Sequence, residues 1–127
     1  MILKKIDFAF SQLVRLKHSD EHGNCKCVCC DKSNHWKNMD AAHYIDRRHM
    51  SLRFSETNVN PCCKGCNQFL GGNLKAYEYY LIKKYGEDII RFLNSEKRRE
   101  AKFSALEIEI MCDNIKDQVR LLLKQKQ

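Results

Sequence analysis

Proline, glycine and long apolar runs are scarce in this chain. One proline and five glycines among 127 residues are too few for long flexible or extended linkers. No apolar run approaches the roughly 20 residues of a membrane-spanning helix, so we expect no membrane partner. The first residues, MILKKIDFAF, have no long apolar stretch followed by a small-residue cleavage site. We therefore expect no signal peptide and a cytoplasmic location.

Composition places the chain among basic globular domains. Hydrophobic residues make up 43% and charged residues 31%, which excludes a chain that is disordered by composition. The length suits one domain. The formal net charge is +7, and residues 25–75 carry eight basic and four acidic residues. An excess of this sign favours a polyanionic partner, most often a nucleic acid.

Eight cysteines are many for this length, and seven of them lie between residues 25 and 66. In a reducing compartment, clustered thiols indicate a metal site more often than a disulfide framework. Two C-x-x-C turns, Cys27/Cys30 and Cys63/Cys66, each direct two thiolates at one point, and together they complete a tetrahedron around zinc. The pattern predicts one structural Zn²⁺ per chain.

The other cysteines do not fit this spacing. Cys25 with Cys27, or Cys62 with Cys66, would be alternative ligand pairs without the C-x-x-C turn. Cys29 and Cys62 are accordingly predicted to be packing residues. Cys112 is expected in the core or at an interface.

Periodicity and capping residues predict the elements around the cysteines. We expect a helix over 7–17 with Asp7 as its cap, a strand or hairpin over 36–46 and an irregular stretch over 52–60. A short helix over 66–70 is ended by glycines, and a helix over 74–85 is ended by Gly86. A short helical turn over 87–93 and a long helix over 95–126, capped by Ser95, complete the chain. The chain then divides into a zinc-bound domain, 1–93, and a C-terminal helix, 94–127.

The C-terminal helix carries apolar residues that need a partner surface. They are Phe103, Leu106, Ile110, Met111, Ile115, Val119 and Leu122. Two arrangements would cover them: packing on residues 74–93, or pairing with a second chain. Because the rest of the chain offers only a small core organised around zinc, the second arrangement is favoured and predicts a homodimer through residues 95–126.

Several motifs recur in an order that resembles a known family. They are FSQLVR at 10–15, Cys27 to Cys30, Trp36 to Ile45, Arg47 to His49, Arg53 to Val59, Cys63 to Asn67, and Gly72-Asn73. Together they resemble the NinG, or Rap, phage recombination endonucleases, which belong to the HNH (ββα-metal) nucleases. Two residues depart from the family pattern: Ala42 stands in place of a glycine, and Cys62, in place of a glutamine, adds a thiol.

The resemblance implies a fold and an activity. The fold would be α+β, a small zinc-stapled ββα-metal (HNH) core with flanking helices and a long C-terminal helix. The activity would be metal-dependent hydrolysis of phosphodiester bonds in branched or recombination-intermediate DNA, in the cytoplasm of a phage-infected host. Two other readings stay open: a non-catalytic zinc-held module that binds DNA, and a zinc-held adaptor whose long helix binds a protein.

Within the implied site, each residue type suits one task. His43 is the expected general base, since neutral imidazole accepts protons near pH 7. Asn58 would orient His43 by hydrogen bonding. Asp40 and Asn67 would offer oxygen ligands to a catalytic Mg²⁺ or Mn²⁺.

Basic residues cluster around the same motifs and predict phosphate contacts. The set is Arg47, Arg48, His49, Arg53 and Lys64. His49 has three alternative roles: metal ligand, acid for the leaving group, or DNA contact. Lys97, Arg98, Arg99 and Lys102 would extend the basic track.

Overall fold

The computed structural model describes residues 2–126, apart from the side chain of Phe69. These residues form five α-helices and four short strands, in the order α1 (Ile2–Lys17), β1 (Asn24–Lys26), β2 (Ser33–His35), β3 (Asp40–His43), α2 (Met50–Arg53), β4 (Val59–Cys62), α3 (Leu74–Tyr85), α4 (Ile89–Glu96) and α5 (Ala105–Gln125). A 3-10 turn covers Trp36–Asn38 and a π-helical segment covers Gly65–Phe69. The fold is mixed α+β.

The strands form two separate antiparallel pairs. β1 pairs with β2, and β3 pairs with β4. In the second pair Asp40 lies opposite Cys62, and His43 lies opposite Val59. Because side chains alternate along a strand, Asp40 and His43 project from opposite faces of β3.

Helix α1 is the centre of the core. Its buried residues recur at helical spacing, and they are Ile6, Ala9, Phe10, Leu13, Val14 and Leu16. This apolar face contacts β3 and β4, and α5 packs along α1 as well. The predicted helix 7–17 is thus longer at its start, and Asp7 lies in its second turn and does not cap it.

The long C-terminal helix is shorter than predicted. A single helix over 95–126 is wrong, because α4 ends at Glu96 and α5 begins only at Ala105. Ser104, not Ser95, is the N-cap: its hydroxyl accepts from the Glu107 amide, and the Glu107 carboxylate accepts from the Ser104 amide. This reciprocal capping box starts the helix at its S-x-x-E motif.

The main intramolecular partner of α5 is α1 and not residues 74–93. The buried residues of α5 are Ile108, Cys112, Ile115 and Val119. Lys126 donates to the carbonyls of Leu16 and Ser19, so the C-terminal ends of the two helices lie together. Leu106 and Ile110 point outward, at 65% and 52% exposure. The homodimer stays a prediction, although five of the seven residues in the predicted apolar stripe are buried or partly buried within the chain.

Of the other predicted elements, the helices that local signals define are present, and the strand and the irregular stretch have different bounds. The helix 74–85 with Gly86 at its C-cap is confirmed, as Gly86 has a φ of 102°. The helical turn predicted for 87–93 is α4. The stretch 52–60, predicted to be irregular, contains the end of α2 and the start of β4 instead. The strand predicted around Tyr44 and Ile45 ends before them, at His43.

No helix within residues 2–126 combines the length and apolarity required to cross a membrane.

Candidate functional site: a cysteine cluster beside an open cleft

The two C-x-x-C turns meet in space. The sulfur atoms of Cys27, Cys30, Cys63 and Cys66 all lie within 4.8 Å of one another, and those of Cys30 and Cys63 are 3.5 Å apart. A disulfide would need about 2.05 Å. A zinc ion bound at about 2.3 Å by four thiolates separates the sulfurs by about 3.8 Å. These four side chains therefore fit a metal ion such as zinc, as the sequence predicts.

In each turn a backbone amide donates to the sulfur of the first cysteine, from two residues further on in the first turn and three residues further on in the second. The Cys29 amide donates to Cys27 Sγ, and the Cys66 amide donates to Cys63 Sγ, each at 3.4 Å. Burial raises the pKa of the Cys63 thiol, but the amide and the neighbouring thiols outweigh burial and bring the pKa to about 7. A thiol shifted in this direction is readily present as the thiolate that binds metal.

A second group of thiols adjoins the first. Cys62 Sγ lies 3.7 Å from Cys27 Sγ and 3.7 Å from Cys29 Sγ. Cys27, Cys29 and Cys62 thus form a further set whose sulfur atoms are all within 4.8 Å. The sequence-based prediction that Cys29 and Cys62 only fill space misses this proximity.

His43 lies at the end of β3 and borders two concavities. One is a cavity of about 200 Å³ that Asp7, Ser11 and Arg47 also line. The other is an open cleft of about 450 Å³, here called the His43 cleft, which Asp46, Arg48, His49, Asn67 and Lys97 also line. The predicted base thus borders a space large enough for a phosphodiester.

The imidazole of His43 is held by the backbone. Its Nε2 lies 3.0 Å from the carbonyl oxygen of Arg53. Because a carbonyl only accepts, Nε2 carries the proton and Nδ1 keeps the free electron pair of the neutral ring. Burial lowers the pKa of His43, and this effect outweighs the Arg53 carbonyl and the Asp7 carboxylate, which raise it. The ring is therefore neutral near pH 7.

Asn58 is fully buried and fixes the loop that follows His43. Its Oδ1 accepts from the Ile45 amide, and its Nδ2 donates to the carbonyls of Ile45 and Leu52. The expected hydrogen bond from this amide to His43 is not among these bonds. Asn58 instead closes residues 45–52 into a loop, and so acts on His43 only through the backbone.

Asp40 and Asn67 are neighbours, as the sequence suggests. Asn67 Nδ2 donates to Asp40 Oδ2 at 2.9 Å, and Lys64 Nζ donates to Asp40 Oδ1 at 2.8 Å. Burial raises the pKa of Asp40, but the hydrogen bonds from Lys64 and Asn67 outweigh it and the pKa is lowered. Ala42, between Asp40 and His43, lies in the regular strand β3, so the missing glycine leaves the strand intact.

Most of the predicted DNA-binding residues have an acidic partner inside the chain. Arg53 is 14% exposed, and its guanidinium donates twice to the Asp7 carboxylate. Arg48 is bound to Asp46 and Lys64 to Asp40. Among the arginines and the lysine of this set, Arg47 has the longest ion-pair distance, 3.8 Å to Asp7, and its side chain is 66% exposed.

The Arg53 guanidinium is therefore held inside the chain, beside the two concavities that His43 borders. Asp7 and Asp46 line these concavities and were not assigned from the sequence, whereas Lys97, predicted only to extend the basic track, lines the cleft as well. No sequence pattern marks Asp7 as a site residue, because the sequence predicts it as a helix cap and its pairing with Arg53 joins distant parts of the chain. Within residues 2–126, the sets of three or more His, Cys, Asp or Glu side chains near enough for a metal are the two cysteine sets.

Comparison with known proteins gives one consistent result. The family model described as "Bacteriophage Lambda NinG protein" matches residues 2–126. The proteins named ninG of Escherichia phage lambda and Salmonella phage P22 are each 30% identical over 100 residues, which is 76% of this chain and 46% of those proteins. The ninG protein of Enterobacteria phage H19B is 36% identical over 61 residues, 47% of this chain and 30% of its own length.

The chain thus spans about half the length of the phage lambda and P22 relatives. No solved structure matches it. Because the family model covers nearly every residue, from α1 through both C-x-x-C turns to the end of α5, the chain belongs to the NinG family.

Proposed function

We propose that this chain is a metal-dependent DNA endonuclease of the HNH type. One observation carries the proposal: His43, a partly buried neutral imidazole, and Asn67, which is bonded to Asp40, border the same open cleft. The cleft adjoins an antiparallel strand pair that is followed by the helical segment Gly65–Phe69. A strand pair followed by a helical segment is what a ββα-metal core would require, and this supports the proposal.

His43 would act as the general base. Its proton on Nε2 is donated to the Arg53 carbonyl, which leaves Nδ1 to accept a proton from an attacking water. Burial keeps the ring neutral at the pH of the cytoplasm. Asn58 supports this arrangement from a distance because it fixes the loop between β3 and α2.

Asp40 and Asn67 would hold the catalytic Mg²⁺ or Mn²⁺. Their side chains supply a carboxylate and an amide oxygen, and Mg²⁺ commonly takes one or two protein carboxylates and completes its shell with waters and phosphate. Since Asn67 uses Nδ2 toward Asp40, its oxygen stays available. The bound ion would stabilise negative charge on the scissile phosphate and leaving oxygen. Lys64 must then leave Asp40, because the two cations would compete for one carboxylate.

The cysteine cluster would serve as the structural zinc site. Four thiolates leave no position for a substrate or water, so this ion would hold the 31–62 excursion closed and take no part in hydrolysis. The excursion contains β3, α2 and the whole of β4, and it carries Asp40, His43 and Asn58.

DNA would lie along the His43 cleft. Arg48 and His49, which follow β3, and Lys97, just after α4, line this cleft, and Arg47 lines the adjoining smaller cavity. Branched DNA as the substrate, and a homodimer through residues 95–126, are proposals that rest on the NinG family resemblance and on the outward-facing Leu106 and Ile110.

The test is cleavage of supercoiled, linear and four-way-junction DNA with Mg²⁺, Mn²⁺ or EDTA. We expect metal-dependent cutting that His43→Ala lowers about 10²–10⁴-fold, as is typical for loss of a general base. His22→Ala is the matched control, because His22 lies in an exposed turn. Cutting by the His43 variant at the wild-type rate would exclude His43 as the base.

One observation favours a second function, a non-catalytic DNA-binding module. Lys64 already neutralises Asp40, and His43 already bonds a carbonyl, so both predicted catalytic groups have internal partners. DNA binding by gel shift without any metal-dependent cleavage would support this alternative. Absence of both binding and cleavage would support the adaptor reading.

A further inference from the structure

A second thiol group shares one member with the proposed zinc site. Cys27 belongs to the four-cysteine set and to the set of Cys27, Cys29 and Cys62. The sulfurs of Cys27 and Cys62 are 3.7 Å apart, as are those of Cys62 and Cys29. These separations match the roughly 3.8 Å of two thiolates on one zinc ion and far exceed the roughly 2.05 Å of a disulfide.

We propose that the chain binds a second divalent, thiophilic ion, zinc in the cell, through Cys29, Cys62 and a bridging Cys27 thiolate. The inference rests on the zinc site proposed above only through Cys27. It raises the expected content from the one zinc that the C-x-x-C spacing predicts to two.

Charge balance favours a divalent ion here. A zinc ion with four thiolates is already an anionic unit, and Cys27 and Cys62 are fully buried. Without a second ion, Cys29 and Cys62 avoid buried negative charge because they stay protonated as neutral thiols. Binding of an ion through their thiolates releases two protons, and a divalent ion compensates both resulting charges, whereas a monovalent ion leaves one of them.

The second group also has access to solvent. Cys29 lines a cavity of about 370 Å³ between the first cysteine turn and α3, where Tyr79, Tyr80 and Lys83 form the opposite wall. An ion can enter by this route, and a water can complete a four-coordinate shell of three thiolates and one oxygen.

The second ion would strengthen the strand pair that carries the proposed catalytic residues. Cys62 is the pairing partner of Asp40 in the β3–β4 register. The Val28 amide, beside Cys27, already donates to the Pro61 carbonyl. An ion shared by Cys27, Cys29 and Cys62 would add a second link between the first cysteine turn and the end of β4.

Metal content of the full chain tests the inference. Protein purified with a reductant and excess zinc, then dialysed, should contain two zinc ions per chain by elemental analysis. Cys29→Ser and Cys62→Ser should each contain one, and Cys112→Ser, a buried cysteine on α5, should keep two. Replacement with cadmium should give two ¹¹³Cd resonances coupled through the shared sulfur.

Each outcome separates the two proposals. Zinc-free folded protein contradicts both metal sites, and a single zinc in the wild type contradicts only the second. Two zinc ions in both serine variants would also overturn the inference. If Cys62→Ser fails to fold, the partly exposed Cys29 still allows Cys29→Ser to decide.

Discussion

The cysteine cluster and the His43 cleft use the same β3–β4 strand pair but differ in how their polar groups are arranged. In the cluster, thiols from two distant turns converge within 4.8 Å and face one another. In and beside the cleft, several polar groups already have a partner inside the chain: Lys64 binds Asp40, Arg48 binds Asp46, and His43 donates to the Arg53 carbonyl. The first region is complete as a ligand set, and the second must rearrange to bind a cation or DNA.

This difference fits the two roles proposed for these regions. A structural metal site contributes folding energy, so its ligands converge as the chain folds. At a site for a charged substrate, the charged side chains stay paired with groups of the protein until the substrate takes the place of those partners. The comparison therefore predicts that changes in the cluster act on folding, whereas changes in the cleft act on metal and DNA binding.

The largest effect should follow loss of the cluster. Cys63→Ser, or a strong chelator, should abolish the cooperative unfolding transition in circular dichroism, because little else fixes the two turns. Cys112→Ser is the control. If reduced, zinc-free protein kept the same spectrum and unfolding transition, the cysteine cluster would not be a structural metal site.

Loss of the Asp7–Arg53 ion pair, which lies beside the smaller cavity at His43, should have the next largest effect. Arg53→Met should lower the free energy of unfolding by about 2–4 kcal/mol, because it leaves a mostly buried carboxylate without its cation. Urea titration measures this loss. Arg47→Met should change stability by less than about 0.5 kcal/mol, since Arg47 is largely exposed. Equal effects of the two changes would show that Arg53 is not a structural residue.

Competition for Asp40 should appear as a shift in metal requirement. Lys64→Met should lower the Mg²⁺ concentration for half-maximal cleavage by a few-fold, because the ion no longer displaces an ammonium group. Asp40→Asn should raise that concentration about tenfold or more. Lys75→Met is a control on the exposed side of α3. If the midpoint is unchanged in both site variants, Asp40 is not a metal ligand.

The pH dependence of cleavage should report His43. The ring must be deprotonated to act as a base, and burial lowers the pKa of His43 below 6.5, so kcat/KM should fall to half its plateau value only below pH 6.5. At still lower pH, kcat/KM should decline about tenfold per pH unit. A half-plateau point above pH 6.5 would place the proton acceptor elsewhere, with His49 the next candidate.

The smallest effect concerns phosphate contacts. Arg47→Ala should weaken binding to DNA of any sequence and lower the slope of log affinity against log salt by about one unit. Fluorescence anisotropy at several salt concentrations measures the slope. A loss confined to one DNA sequence would indicate base readout and not a backbone contact.

Local patterns account for the parts of the fold that were predictable. Gly86 ends α3 where the sequence indicates, and the two C-x-x-C turns meet as their spacing requires. The S-x-x-E motif of Ser104 and Glu107 also indicates the start of α5, and it is a stronger cap signal than the predicted cap Ser95. Strand β4 was not predictable, because VNPC pairs only through contact with β3 and carries a proline.

The sequence by itself determined the family, the four thiols that could hold zinc and some of the residues that border the cleft, such as His43, His49 and Asn67, because these depend on residue type and short spacing. Only the tertiary structure decided that Arg53 binds Asp7, that Cys62 adjoins Cys27 and Cys29, and that α5 packs on α1. Each of these contacts joins positions more than thirty residues apart. Such pairs form through packing of the whole chain, which no local pattern records.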